Sequence, residues 1–251
     1  MTLPATPSFR VDGKRALVTG GSRGIGLGCA VALAEAGAHV LVAARGRETL
    51  EESVAAMQAY GLSAEPCPLD VTDRDAVRAA LSVPVDILCN SAGLARHAPS
   101  LEVTPEDFDA VSSINLRAAF FLAQEATRGM MSLGGGAIIQ ISSQMGHVGG
   151  LDRSVYCATK HGVEGMTKAM AIELAPHRIR VNTICPTFIR TPLTAPTFAD
   201  PEKVAWIESK IKLGRVGEVE DVMGAVQYLA SPASALVTGT SILVDGGWTA
   251  G

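Results

Sequence analysis

Tyr156 and Lys160 place a phenol and an ammonium four residues apart in the stretch Ser154-Val155-Tyr156-Cys157-Ala158-Thr159-Lys160. On a helix that spacing puts both on one face, aimed at the same point. A phenol near its reference pKa of about 10 exchanges protons poorly at neutral pH, and a fixed cation nearby favours the phenolate. The pair is therefore a candidate acid/base centre. Most Tyr-x-x-x-Lys pairs are solvated helix faces, so its meaning depends on the cofactor and scaffold that the other segments supply.

A second group with chemical potential is Gly20-Gly21-Ser22-Arg23-Gly24-Ile25-Gly26. It follows an apolar run, Lys14 to Thr19, and precedes a helical pattern reaching about Ala36. Glycines at a strand-to-helix turn let backbone N–H groups and a helix start approach a pyrophosphate. The spacing departs from the literal G-x-G-x-x-G fingerprint, and no Gly-Lys-Ser/Thr follows, so a nucleoside-triphosphate loop is not indicated.

The elements that must position these groups alternate. Apolar runs at 39–44, 64–69, 85–90, 137–142, 179–185 and 241–244 read as strands. Helical patterns lie between them at 47–60, 73–81, 104–133, 154–175 and 218–230. Thr104, Pro105 and Asp107 form a cap, with Asp107 in capping-box position, and Pro176 ends the helix that carries the Tyr/Lys pair. Strands that are apolar throughout and alternate with helices imply a parallel sheet covered on both faces. The expected fold class is α/β, a doubly wound Rossmann sheet in three α/β/α layers, with ligands at the carboxyl ends of the strands. No repeat or linker divides residues 1–251, so a single domain is expected. The proline-rich stretch around 186–213, the least regular, is expected to be a substrate lid.

Composition narrows the partners. A net charge of −4 gives no basic footprint for nucleic acid. The longest apolar runs are too short to span a bilayer, and Met1 to Arg15 lacks the basic-then-apolar order of a signal peptide. Five scattered cysteines without a CxxC pair read as reduced cytoplasmic thiols. No metal site is expected: His147 has no second ligand at metal-binding spacing and reads as a hydrogen-bonding residue.

Thr19-Gly20-x-x-x-Gly24-x-Gly26, then Asn90-Ser91-Ala92-Gly93, then Ser143, then Tyr156-x-x-x-Lys160 resemble the short-chain dehydrogenase/reductase family in its shorter, single-domain form. The resemblance spans nearly the whole chain. It implies a hydride transfer between a nicotinamide dinucleotide and a carbonyl or secondary alcohol. Tyr156 would be the acid/base, and Lys160 would lower its pKa and hold the nicotinamide ribose. Ser143, thirteen residues before Tyr156 as in the family, would orient the reacting oxygen; it is preferred on that spacing to its neighbour Ser142. Asn115 would shape the long helix so that a water links Lys160 to solvent, whereas its bland reading is a hydrogen bond to a neighbouring helix. On the cofactor side the resemblance implies Gly20, Ser22, Arg23, Gly24, Ile25 and Gly26 in the turn and Asp70 and Val71 beside the adenine. Asn90, Ala92 and Gly93 would line the adenosine, with Pro186, Ile189 and Thr191 near the nicotinamide. The family usually has Gly where this chain has Thr187, which bears on the path of that loop.

The second strand ends Ala43-Ala44-Arg45, without the carboxylate that would bind ribose hydroxyls. Arg23 and Arg45 suit a 2′-phosphate, so NADP(H) is the expected cofactor, with NAD(H) as the alternative. Arg96, Gln144, His147 and Arg153, with His97, form a polar rim that fits a sugar, polyol or sugar acid. The rivals are a reductase of non-sugar ketones, a lyase or epimerase, and a cofactor-binding regulator without turnover. A homotetramer is the family expectation, with the C-terminal Leu243 to Trp248 packed between subunits.

Overall fold

The computed structural model describes residues 1–251. Seven strands form one sheet: β1 Arg15–Thr19, β2 His39–Ala44, β3 Ala64–Pro68, β4 Ile87–Asn90, β5 Gly136–Ile141, β6 Ile179–Pro186 and β7 Ser241–Val244. All neighbours pair in parallel, in the order β3-β2-β1-β4-β5-β6-β7. The order reverses between β1 and β4, and the crevice opens there, beyond the strands' carboxyl ends. The expected doubly wound fold is the one observed.

Alternation along the strands sends side chains to two cores. Ala16, Val18, Val40, Val42, Cys89 and Ile139 face one of them, against α1 Gly24–Glu35, α2 Arg47–Ala59 and α9 Glu220–Ala230. Leu17, Leu41, Leu88, Ile138 and Val181 face the other, against α3 Arg74–Ala80, α5 Ala119–Leu133 and α6 Ser154–Leu174. Each fully buried Val, Leu or Ile stabilises the fold by roughly 1.5–3 kcal/mol, so both faces must stay covered and the sheet has no solvated side. β3 carries Pro66 and Pro68, which donate no ladder hydrogen bond, and it lies at the sheet's edge as that chemistry requires.

Three differences from the sequence reading bear on the site. The helix expected over 104–133 is α4 Pro105–Ser112, a π-helical segment Ser113–Ala118 and then α5. Its start is only half of a capping box: Thr104 Oγ1 accepts from Asp107 N at 3.2 Å, but the Asp107 carboxylate goes to Arg96 instead of returning to the cap. The stretch expected to be least regular holds α7 Ala195–Phe198 and α8 Pro201–Lys210, the latter started by Asp200, whose carboxylate accepts from Glu202 N and Lys203 N. These helices lie over a small separate cluster of Ile207, Ile211 and Val216, with Phe188 and Trp248 against it. Trp248 stacks within its own chain, 5.7 Å from Phe188 and 5.6 Å from Trp206 between ring centroids.

Candidate active site

The turn between β1 and α1 is built on backbone that only glycine adopts freely: Gly20 and Gly24 have φ of +65° and +54°. At Gly26 the limit is space, because a Cβ would lie 2.1 Å from Gly20 O. With no side chains in the way, the start of α1 closes onto the strand and leaves its N–H groups facing the crevice. Gly20, Ser22, Arg23, Gly24, Ile25 and Gly26 all border a cleft of about 710 Å³. Arg45, Asp70, Val71, Ala92, Gly93, Thr191, Tyr156 and Lys160 border it as well, so most of the residues expected to touch the cofactor come together.

Some lie behind the wall instead. Asn90 is buried, accepting from Thr19 Oγ1 at 2.6 Å and donating to Gln140 Oε1 at 2.8 Å. This polar chain joins β1, β4 and β5 side by side under the crevice, and leaves the Asn90 side chain occupied by the scaffold. Pro186 is buried at the end of β6. Ile189 is buried too, and its carbonyl accepts from Thr194 Oγ1 at 2.6 Å. Thr191, two residues on, lies against the glycine turn: a Cβ on Gly24 would be 3.3 Å from its side chain. Thr187 has no left-handed backbone and its N–H donates to Val244 O at 3.1 Å, so the exchange of the family's Gly for Thr strains no backbone here, although it buries Oγ1 without a partner.

Arg23 is exposed and forms no ion pair, while Arg45 is 71% exposed with its guanidinium 4.0 Å from Asp70. At that exposure the contact is worth little, so Arg45 remains available to an anion. Hydrogen bonds from Thr72, and secondarily the Arg45 charge, hold the Asp70 carboxyl below its usual range.

α6 brings Tyr156 and Lys160 to the cleft's far end. Lys160 is buried, its Nζ donating to Ile141 O at 2.9 Å and standing 5.6 Å from the Tyr156 ring centroid. An ammonium has three donors, and the other two find no acceptor in the chain. The His97 ring meets Tyr156 edge-on at 5.8 Å. Burial, with Arg153's charge second, pushes His97 below the ordinary imidazole value against the pull of Asp152, which favours the neutral ring.

Asn115 lies in the widened part of the long helix. It is buried in the π-helical segment, accepting from Leu94 N at 2.8 Å and donating to Leu94 O at 2.8 Å and Thr159 Oγ1 at 3.3 Å. One side chain thereby pins the loop after β4 to the turn of α6 between Tyr156 and Lys160. The link to a neighbouring helix is the bland reading of this residue, and the structure contains it.

Ser143 is buried after β5, and its Oγ accepts from Met145 N at 3.1 Å. Ser142 borders the 710 Å³ cleft, with its buried Oγ beside the Cys185 thiol. Ser143, Gln144, His147 and Arg153 lie outside the 710 Å³ volume, and of the expected substrate rim only Arg96 borders it, held by Asp107. Arg153 spends a donor on Leu151 O and sits 5.5 Å over the Phe188 ring. His147 points elsewhere: its Nε2 lies 3.4 Å from Cys185 Sγ and 3.7 Å from Glu164. Sequence spacing hid this, because the partners of His147 sit on α6 and β6.

A glycine turn at the sheet's switch point, with a tyrosine and buried lysine at the end of the same cleft, marks the class: a Rossmann-type oxidoreductase. Comparison with known proteins narrows it. A family model described as enoyl-(acyl carrier protein) reductase matches residues 20–249. D-erythrulose reductase of Gallus gallus is 40% identical over 245 residues, 96% of this chain and 98% of that protein. Gluconate 5-dehydrogenase of Gluconobacter oxydans (strain 621H) is 39% identical over 247 residues, 96% of each. The crystal structure of a gluconate 5-dehydrogenase from Burkholderia cenocepacia J2315, in complex with NADP and tartrate, superposes with TM-score 0.93 at 36% identity. It covers 97% of this chain and 98% of that one. The chain belongs to the short-chain dehydrogenase/reductase family. No helix is long and apolar enough to cross a membrane.

Proposed function

We propose that this chain moves a hydride between NADP(H) and a small polyhydroxylated ketone, polyol or sugar acid. The observation that carries the reading is one cleft bordered by the glycine turn, by Arg23 and Arg45 and by the Tyr156/Lys160 pair. Relatives of similar length that act on ketoses and on gluconate support the substrate class.

In this reading Arg23 and Arg45 take the 2′-phosphate, and Lys160 gives its two open donors to the ribose of the nicotinamide half. Asp70 and Val71 flank the adenine, Ala92 and Gly93 the adenosine, with the backbone at Asn90 alongside. Pro186, Ile189 and Thr191 border the nicotinamide. The cofactor supplies the hydride. Tyr156 passes the proton to the carbonyl oxygen during reduction, and the Lys160 charge stands beside the phenolate that remains. Ser143 Oγ already accepts from Met145 N, so its own O–H is left to donate to the reacting oxygen. Asn115 keeps the cofactor loop and the catalytic helix in register. Gln144 has a buried Nε2 without a partner, a donor suited to a substrate hydroxyl, and neutral His97 can serve a second one. The segment around 186–213 closes over the substrate.

Steady-state kinetics on a panel of ketoses, sugar acids and simple ketones, each with both cofactors, tests this. Turnover confined to apolar ketones, or absent throughout, would sink the substrate reading. NADP(H) should be preferred in kcat/KM, and Arg45→Asp should reverse the preference, because it removes a cation and adds the carboxylate that suits ribose hydroxyls. If Arg45→Asp left the ratio unchanged, the 2′-phosphate is not held there.

We also propose a cytoplasmic homotetramer. Five free thiols suit a reducing compartment. A groove of about 830 Å³ lined by Leu116, Phe120, Phe121, Met166 and Met170, with Ile172 78% exposed nearby, suits burial against a second copy. Light scattering at the single-chain mass of 26.0 kDa would refute the assembly.

A further inference from the structure

We propose that His147, Glu164 and Cys185 form a binding site for a zinc-class divalent cation, set behind the loop that carries Ser143. The three come from different elements: the turn after β5, α6 and β6. Their donor atoms all lie within 4.8 Å of one another. His147 Nε2 is 3.4 Å from Cys185 Sγ, Cys185 Sγ is 3.3 Å from Glu164 Oε1, and Glu164 Oε2 is 3.7 Å from His147 Nε2. A tetrahedral zinc with bonds of about 2.3 Å to sulfur and about 2.0–2.2 Å to nitrogen and oxygen has ligand-to-ligand edges of roughly 3.4–3.6 Å. The two carboxylate edges end on different oxygens of Glu164, so the ion is held with both oxygens engaged or after a small turn of that carboxylate, since one donor atom from each residue lies within 4.8 Å of the others. Imidazole, carboxylate and thiolate together are also the donors this ion prefers.

Independent features surround the triangle. Ser142 Oγ is buried without a hydrogen-bond partner, beside the Cys185 thiol. A Cβ on Gly146 would lie 3.0 Å from Glu164 Cγ and 3.2 Å from both Lys160 O and Ser142 Oγ, so the turn before His147 packs closely onto α6. Thr183 Oγ1 at 3.0 Å and Ser241 Oγ both donate to Glu164 Oε2, which fixes the carboxylate as outer hydrogen bonds do around metal ligands. His147 is the only partly exposed member, with 27% of its side chain reaching solvent, and gives the ion a way in.

Binding breaks the Cys185 S–H bond, forms a sulfur–metal bond and releases the proton to buffer, with no change of oxidation state. Burial, and next the Glu164 charge, pushes the Cys185 thiol up to about 12. A cation reverses that penalty, because it neutralises the carboxylate and stabilises the thiolate. The ion would clamp the end of the Ser143 loop to the helix of Tyr156 and Lys160.

The test uses the whole chain, stripped with a chelator and titrated with Co2+ as a spectroscopic stand-in for zinc. One Co2+ per chain should bind with a thiolate-to-cobalt charge-transfer band in the near ultraviolet, and one equivalent of Zn2+ should bleach it. Cys185→Ser should abolish the band, and His147→Ala should weaken binding at least about tenfold. Cys67→Ser, at the one thiol that is not buried, should change nothing. Should Cys185→Ser fail to fold, His147→Ala and Cys67→Ser still decide the question. Absence of the band, its loss in Cys67→Ser, or full retention in His147→Ala would overturn the site. The readout needs no turnover, so its failure is distinct from failure of the proposed reaction.

Discussion

Tyr156→Phe is expected to lower kcat by about 10²–10⁴-fold, the usual size of a lost general acid/base, while NADPH still binds. The substitution deletes one oxygen and keeps the ring, so the edge-on contact with His97 and the stacking distance to Lys160 persist. The cleft's phosphate end is built by other elements and is untouched. Single-turnover kinetics and NADPH fluorescence titration on the same preparation separate the two effects. Equal losses in cofactor affinity and turnover would make Tyr156 a structural residue and remove the proposed proton transfer. Lys160→Met should behave differently. Its Nζ is the buried donor to Ile141 O and has two further N–H groups for the ribose, so affinity and rate should fall together.

Gly26→Ala should damage both stability and cofactor binding. The new Cβ would stand 2.1 Å from Gly20 O and 2.6 Å from Gly20 C, backbone atoms that have nowhere to retreat. Gly20 is itself closed in, since a Cβ there would meet Ser91 O at 2.9 Å. Relief must come from opening the turn, which spoils the cradle for the pyrophosphate. Overpacking of this kind costs roughly 1–3 kcal/mol, and each kcal/mol lowers Tm by about 2–4 °C in a chain of this size. NADPH affinity should fall at least about tenfold. Gly224→Ala is the matched control, because a Cβ there meets nothing within 4 Å in mid-helix α9. It should be stabilising by about 0.5–1 kcal/mol. Calorimetry that ranked the two substitutions alike would show that the close approach at Gly26 does not matter.

The sheet was legible because a strand buried on both faces is apolar along most of its length, as Ala16 to Val18 and Ile138 to Ile139 are. The glycine turn and the Tyr156/Lys160 face were legible because their partners lie within one helical turn or one loop. The features without a local signal depend on distant elements. Asn90 reads as a cleft residue until Gln140 is known to stand beside it on the next strand. His147 reads as a rim residue because Glu164 and Cys185 belong to the following helix and strand. The edge-on contact of His97 with Tyr156 arises from a loop and a helix that meet only after folding. Trp248 meets Phe188 and Trp206 within the chain, a contact that spacing in the sequence does not reveal. The π-helical segment has no sequence marker of its own. Asn115 is a poor fit to a regular α-helix, and it lies within the widened segment.

That widening also sets the phase of everything after it. An α-helix advances about 100° per residue, and a π-turn carries one residue more than an α-turn over the same hydrogen-bonded loop. Ser113–Ala118 thus acts as an angular offset, turning α5 by about a quarter of a revolution relative to an uninterrupted continuation of α4. The first half of the long helix is timed by Leu94 and the cofactor loop, and the second by Phe120, Phe121 and the apolar groove. Loss of a single residue from 113–118 would leave both halves helical and equally apolar, but no longer in step. One of the two faces would then point the wrong way.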